Sequence, residues 1–281
     1  MVDSAAVQVA AADSAALGEV ISAVVAQAAT GRDSKQEHQM EQQLRELVER
    51  LRTAFDGKLV SAILYGSATM GDWDETTSDL NILCVLNQLT PAELGAAEPI
   101  IRWWRGRGNP SPLLLTEEEV KASTDCFPME FRDMQEHRRV LYGSDVIRDL
   151  VVDRSFYRAQ VEHELRAKQI RLRQHAASVL SSPERLTALL SESISTFCVL
   201  GRHALILNGD PPRWKKEEVV AALRTATGHA WSAASEILGI RAEKRKPANA
   251  LLLLERYLRE FDELIRFVDT MPVAAAERGS V

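Results

Sequence analysis

Leu64-Tyr65-Gly66-Ser67-Ala68-Thr69-Met70-Gly71, followed by Ser78-Asp79-Leu80-Asn81-Ile82-Leu83-Cys84-Val85-Leu86, is the stretch that decides the fold of this chain. Lys58 to Tyr65 and Leu80 to Leu86 are both short, apolar and β-prone, so each reads as a strand. Gly66 permits a sharp backbone turn at the end of the first strand, where a side chain would also block a ligand's approach. Ser67 then offers a hydroxyl and an amide at the start of a short polar helix and loop, where anions are readily held. Period-two alternation puts Asp79 and Asn81 on one face of the second strand and Leu80 and Ile82 on the other. Two oxygen donors beside a phosphate-friendly turn suit a Mg2+-nucleotide site.

The pattern Gly66-Ser67, Gly71, then Ser78-Asp79-x-Asn81 resembles the signature of the nucleotidyltransferase superfamily, which includes DNA polymerase β and the aminoglycoside nucleotidyltransferases. The usual form is Gly-Ser, a spacer with a Gly, then Asp-x-Asp on the second strand. This chain departs from it in having Asn81 where the second aspartate is usual. The resemblance implies an α+β protein: a small mixed-sheet nucleotidyltransferase domain followed by an all-α helical bundle. It also implies metal-assisted nucleotidyl transfer, with Mg2+ (or Mn2+) as the cation and ATP or another nucleoside triphosphate as the donor. The acceptor would be a hydroxyl of a small molecule or a protein, and AMP the transferred group. Asp79, Asn81 and Glu130 would ligate metal, and Asp79 and Glu130 would serve catalysis. Gly66, Ser67, Lys215, Lys216 and Arg166 would bind the nucleotide. An amide oxygen can ligate Mg2+, but it is neutral and cannot act as a base. The alternative is therefore a catalytically impaired nucleotide-binding or regulatory module of the same fold.

The rest of the chain fits around this centre. At 281 residues and 46% hydrophobic, it is long enough to bury one large core or two small ones. A net charge of −6 and a pI near 5.6 argue against DNA or RNA as the partner. Cys84, Cys126 and Cys198 are odd in number and unpaired in spacing, which fits a reducing cytoplasm better than a disulfide framework. No apolar run is long enough to span a bilayer, and the first residues lack the pattern of a secretory signal. A homodimer is compatible with all of this.

Four segments are expected: a flexible Ala-rich leader at 1–34, the nucleotidyltransferase-like domain at 35–149, the bundle at 150–272 and a tail at 273–281. A helix capped by Asp33 or Ser34 would bury Leu44, Leu47, Val48, Leu51 and Phe55 against the sheet. A second runs from Pro91 to Trp104, and Pro112 to Thr116 reads as a third strand. Thr116 with Glu119 forms a capping box for the helix that follows. Met129 and Phe131 alternate with Glu130 and Arg132, as in a strand with one buried face. Superfamily members place a third carboxylate on such a strand; Glu130 is the candidate, with Asp133 second. Arg138 to Gly143 reads as a helix end with a glycine stop. The run from Pro112 to Gly143 also resembles a group of bacterial nucleotidyltransferase-like proteins.

Beyond residue 150 the strand signals stop. Helices are expected at 158–180, 186–207, 216–225 and 230–238, with a last one from Pro247 to Val268. Arg166 and Lys168 lie in a charged helix face, and Lys215-Lys216 follow a Pro-rich turn at a helix start. Either set reads as solvated surface or as phosphate contacts. Of the six histidines, none of which shows metal-ligand spacing, His137 and His163 are the two worth testing.

Overall fold

The computed structural model describes residues 37–69 and 80–271, and divides into two units. Unit 1 takes residues up to Ala122 together with Asp133–Leu150; unit 2 takes Ser123–Arg132 and everything from Val151 on.

Unit 1 is built on a four-stranded mixed sheet in the order β3-β2-β1-β4. Here β1 is Leu59–Tyr65, β2 Asn81–Leu86, β3 Leu113–Thr116 and β4 Arg138–Gly143. β1 runs antiparallel to both β2 and β4, and β3 runs parallel to β2. Helix α1, described over 37–55, lays Leu44, Leu47, Leu51 and Phe55 on the same core as Ala62, Leu64, Ile82, Cys84 and Leu86. That core also takes Ala97, Ile100 and Trp104 of α2 (Pro91–Arg105). Leu83 and Val85 point the other way along β2 and are also buried, so this strand reads as an unbroken apolar run.

Polar residues fix where α2 begins. Thr90 caps it in a capping box with Glu93, whose buried carboxylate also accepts from Lys58 (2.6 Å) and Gln88 (3.0 Å). The Lys58 ammonium, with the hydroxyl and amide of Thr90 and the Gln88 amide, holds the Glu93 carboxyl well below the usual range. Trp103 lies between two guanidiniums, those of Arg50 and Arg107, each 4.3 Å from the ring centroid. Trp103 packs half-buried against the same core in which Trp104 is fully buried. The Thr116–Glu119 box caps α3 (Glu117–Ala122) as the spacing predicts.

Two elements differ from their sequence reading. Met129–Arg132 is not a strand: it lies in α4 (Pro128–Glu136), with Pro128 in the first turn and its amide line set by Phe131 N–H to Phe127 carbonyl. Phe131 and Met134, three residues apart, are both buried, which is a helical spacing. The alternation that suggested a strand is only four residues long and does not separate the two periods. Arg138–Gly143 is not a helix end but the edge strand β4. Gly143 (φ +75°) is there because a Cβ would lie 1.9 Å from the Val60 carbonyl oxygen. It is a close-approach glycine rather than a helix stop. Ser61 Oγ donates to the Ser144 carbonyl (2.6 Å), and Arg138 holds Asp145 through its Nε and Nη2 (each 2.9 Å).

Unit 2 is helical. It contains α5 (Tyr157–Ala177), α6 (Pro183–Leu207), α7 (Lys216–Thr227), α8 (Ser232–Glu243) and α9 (Ala250–Asp269). α6 packs against all four others. Phe197 on α6 is the hub of an aromatic group with Trp231, Tyr257 and Phe261, at centroid separations of 5.0–5.9 Å. Gly201 lets α7 approach closely, since a Cβ there would meet Leu223 Cδ1 at 2.9 Å. Met129 of α4 belongs to this core. Buried Glu260 accepts from the amides of Ala233 and Ala234, both at 2.8 Å, and so caps α8, whose N-cap residue Trp231 offers no side-chain oxygen.

Candidate functional site

The elbow at the end of β1 is the feature to which the sequence signature points. Gly66 has φ +82°, in the region that favours glycine, and its carbonyl accepts from both the amide (3.0 Å) and hydroxyl (2.8 Å) of Thr69. These bonds close the short 3-10 helix Ser67–Thr69. Ala68 turns into the core and Ser67 is left exposed. Tyr65 pairs with Asn81 on one side and with Arg138 on the other, so the elbow lies between the entrances of β2 and β4. The Asn81 side chain lies over the glycine: a Cβ on Gly66 would sit 3.3 Å from Asn81 Nδ2. On the other flank the Gly66 amide donates to the His137 carbonyl at 3.3 Å. Asn81 thus lies against Gly66, while its neighbours Leu80 and Ile82 are in the core.

Asp79 lies outside the described residues, as do the leader at 1–34 with its capping residues and the tail at 273–281. Glu130 is an exposed residue of α4 and belongs to unit 2, rather than standing on a strand beside the elbow. The strands that neighbour β1 are β2 and β4, and β4 offers Arg138 and Arg139. Among the described residues, the four strands carry no aspartate or glutamate.

A divalent cation held as the superfamily holds it needs several carboxylate oxygens. Among the described residues no group of three or more His, Cys, Asp or Glu side chains comes together. The elbow itself contributes one neutral amide, that of Asn81. The described residues therefore do not make up the ligand set.

The cationic candidates lie in unit 2. Arg166 is on an exposed face of α5 and is ion-paired to Glu162 (2.8 Å), one turn away. Lys168 is likewise paired to Glu164. Both are the solvated-face arrangement that the spacing allows. Lys215 is the N-cap residue of α7 and Lys216 its first residue. Just before them Trp214 stacks on Arg202, whose guanidinium carbon is 4.1 Å from the ring centroid. Arg202 is 5% exposed, and its neighbour His203, through Nδ1, meets the Tyr157 hydroxyl at 2.6 Å inside the bundle. Neither Arg202 nor His203 stands out in sequence. The available signal was a cation and an imidazole set within the apolar run from Phe197 to Leu207. Cys84 and Cys198 are buried thiols, each pushed up to about 12 by burial, and no helix among the described residues is long and apolar enough to cross a membrane.

No protein-family model and no curated protein matches the chain. Among solved structures, that of spectinomycin adenyltransferase AAD(9) from Enterococcus faecialis, with ATP and spectinomycin, covers 80% of this chain and 98% of its own. The TM-score is 0.51 and the identity 16%. The likeness is therefore one of fold: the chain shares the α+β fold of that adenyltransferase, with a small mixed sheet and a helical unit.

Proposed function

We propose that the protein is a nucleotidyltransferase that binds ATP at the Gly66-Ser67 elbow and transfers AMP to a hydroxyl group of a small molecule or protein. The observation that carries this reading is the elbow: a left-handed glycine roofed by the Asn81 amide, in a chain with the fold of an adenyltransferase solved with ATP. In this proposal the exposed Ser67 hydroxyl, at the turn that Gly66 makes, receives the triphosphate. Lys215, Lys216 and Arg166 are the proposed phosphate-binding cations of the helical unit. Asp79 and Glu130 are the proposed acidic residues of the reaction. The acceptor oxygen attacks the α-phosphorus, and pyrophosphate leaves.

A second reading is favoured by the neutral Asn81 at the elbow, where the superfamily signature has an aspartate. In it the chain binds nucleotide without turning it over and acts on a partner. Calorimetry with ATP, followed by labelled ATP and a panel of hydroxylated metabolites with and without Mg2+ or Mn2+, separates the two. Label transfer that disappears in Asp79→Ala supports the enzyme. Binding without pyrophosphate release supports the module, and no ATP binding at all rejects both. Asn81→Asp adds a charged ligand and should tighten Mn2+ about tenfold by paramagnetic titration; an unchanged affinity would remove Asn81 from any cation site.

A further inference from the structure

We propose that the hollow where α6 and α9 begin is a binding site for a small anionic amphiphile, a carboxylate carrying a medium-length apolar chain. It lies wholly within unit 2 and does not depend on the nucleotide reading of the elbow. The hollow has a volume of about 390 Å³, a size typical of small-molecule sites. Leu180, Leu186 and Leu251 form its wall together with Pro183 and Pro247. Leu186 is buried beneath, but Leu180 and Leu251 are 45% and 53% exposed, so both give apolar surface to the concavity. Leu252, 51% exposed, follows directly on Leu251. A single exposed leucine is ordinary. Two lining one hollow leave apolar surface in water that a hydrocarbon chain would cover.

Charge decides the head group. Lys246 lies on the lining, and Lys244 and Arg245 precede it in the connection between α8 and α9. Arg185 stands in the first turn of α6, between the lining residues Glu184 and Leu186. All four cations are exposed, and only Glu184 and Glu243 offset them along these two segments. The local sign is thus opposite to that of the whole chain, whose net charge is −6. Lys246 pairs with Glu184 at 3.2 Å and Arg245 with Glu243 at 2.8 Å. Exposed pairs of this kind contribute little and yield to a competing carboxylate, and the Lys246 ammonium has three donors to share. A carboxylate head therefore suits the rim, whereas an ammonium head would meet like charge. The apolar wall adds nothing for an anion without a chain. A long acidic peptide or a nucleic acid would spread past a hollow of this size and leave the leucines uncovered.

Calorimetry of the full chain with decanoate, decylammonium and acetate tests the site. Decanoate should bind once per chain with a Kd on the order of 0.1 mM, decylammonium about tenfold more weakly, and acetate not measurably. Leu251→Asp sets a carboxylate in the wall and should abolish decanoate binding. An acid is tolerated in the first turn of α9, so the Tm of that variant should hold. Lys246→Glu, at an exposed position, should weaken decanoate about tenfold and remove the preference over decylammonium. Decanoate that binds both variants as it binds wild type overturns the proposal, and so does acetate or decylammonium that binds wild type as tightly as decanoate. Sedimentation supplies a further check: a dimer that Leu251→Asp splits would mean that a second copy covers the leucines, and the site falls. ATP binding, measured on the same samples, should be equal in wild type and both variants, so failure at the elbow and failure here are read separately.

Discussion

Single positions carry consequences that their residue type alone does not reveal. Gly66 and Gly143 are both left-handed, but they differ in what a methyl group would meet. At Gly66 it would meet the end of a side chain, Asn81 Nδ2 at 3.3 Å, which can give way. At Gly143 it would run into the Val60 carbonyl at 1.9 Å, which cannot. Gly66→Ala should therefore cost about 1 kcal/mol of stability, mostly from the positive φ, and should weaken ATP binding more than it lowers Tm. Gly143→Ala should cost about 3 kcal/mol or more in chemical denaturation, because the β1–β4 pairing must shift. Gly66 was legible in sequence because it sits inside a signature. Gly143 was seen but misassigned, since a glycine after an apolar run suits a helix end and an edge strand equally well.

Among the elements, β4 is anchored by polar contacts. Its entrance is tied down by Arg138, which bridges Asp145 and the last carbonyls of α4. The Arg138 guanidinium holds the Asp145 carboxyl below the usual carboxylate range, against the opposing effect of its own desolvation. A depressed carboxylate contributes stability above its unfolded pKa, near 4, and loses it as pH falls through the folded value. Asp145→Asn should thus be about 2 kcal/mol less stable than wild type at pH 7, and the gap should close below pH 4 in denaturation curves. Glu260 behaves in the opposite sense. Burial raises its carboxyl pKa, although the Ala233 and Ala234 amides pull it down. Its ionisation therefore costs folding free energy, and that cost appears as pH rises through the folded pKa. The α1 stripe, the Pro91 helix start and the Thr116–Glu119 box were legible because each is a local pattern of several residues. α4 and β4 were not, because the deciding contacts come from residues distant in the chain.

At the scale of the molecule, two cores divide the work. The aromatic centre around Phe197 draws on α5 to α9, with Met129 added from α4. A fragment of residues 151–271 should therefore stay helical by circular dichroism and unfold cooperatively, at a Tm lowered by the loss of Met129 burial, about 2 kcal/mol. A fragment that shows no cooperative transition would mean that the bundle depends on the rest of the chain. The net charge of −6 belongs to the whole protein, while the cations expected to meet phosphate are local, at Lys215 and Lys216.

The sequence by itself determined the strand–elbow–strand core, the order of the helices in unit 2 and the α+β class of the fold, because those depend on short-range periodicity and on a compact motif. Only the tertiary structure decided that Glu130 rides on a helix, that the strand beside β1 presents arginines, and that His137 abuts Gly66. Pairing between β1 and β4 joins residues more than seventy positions apart. A local pattern does not encode which side chains such a pairing makes neighbours.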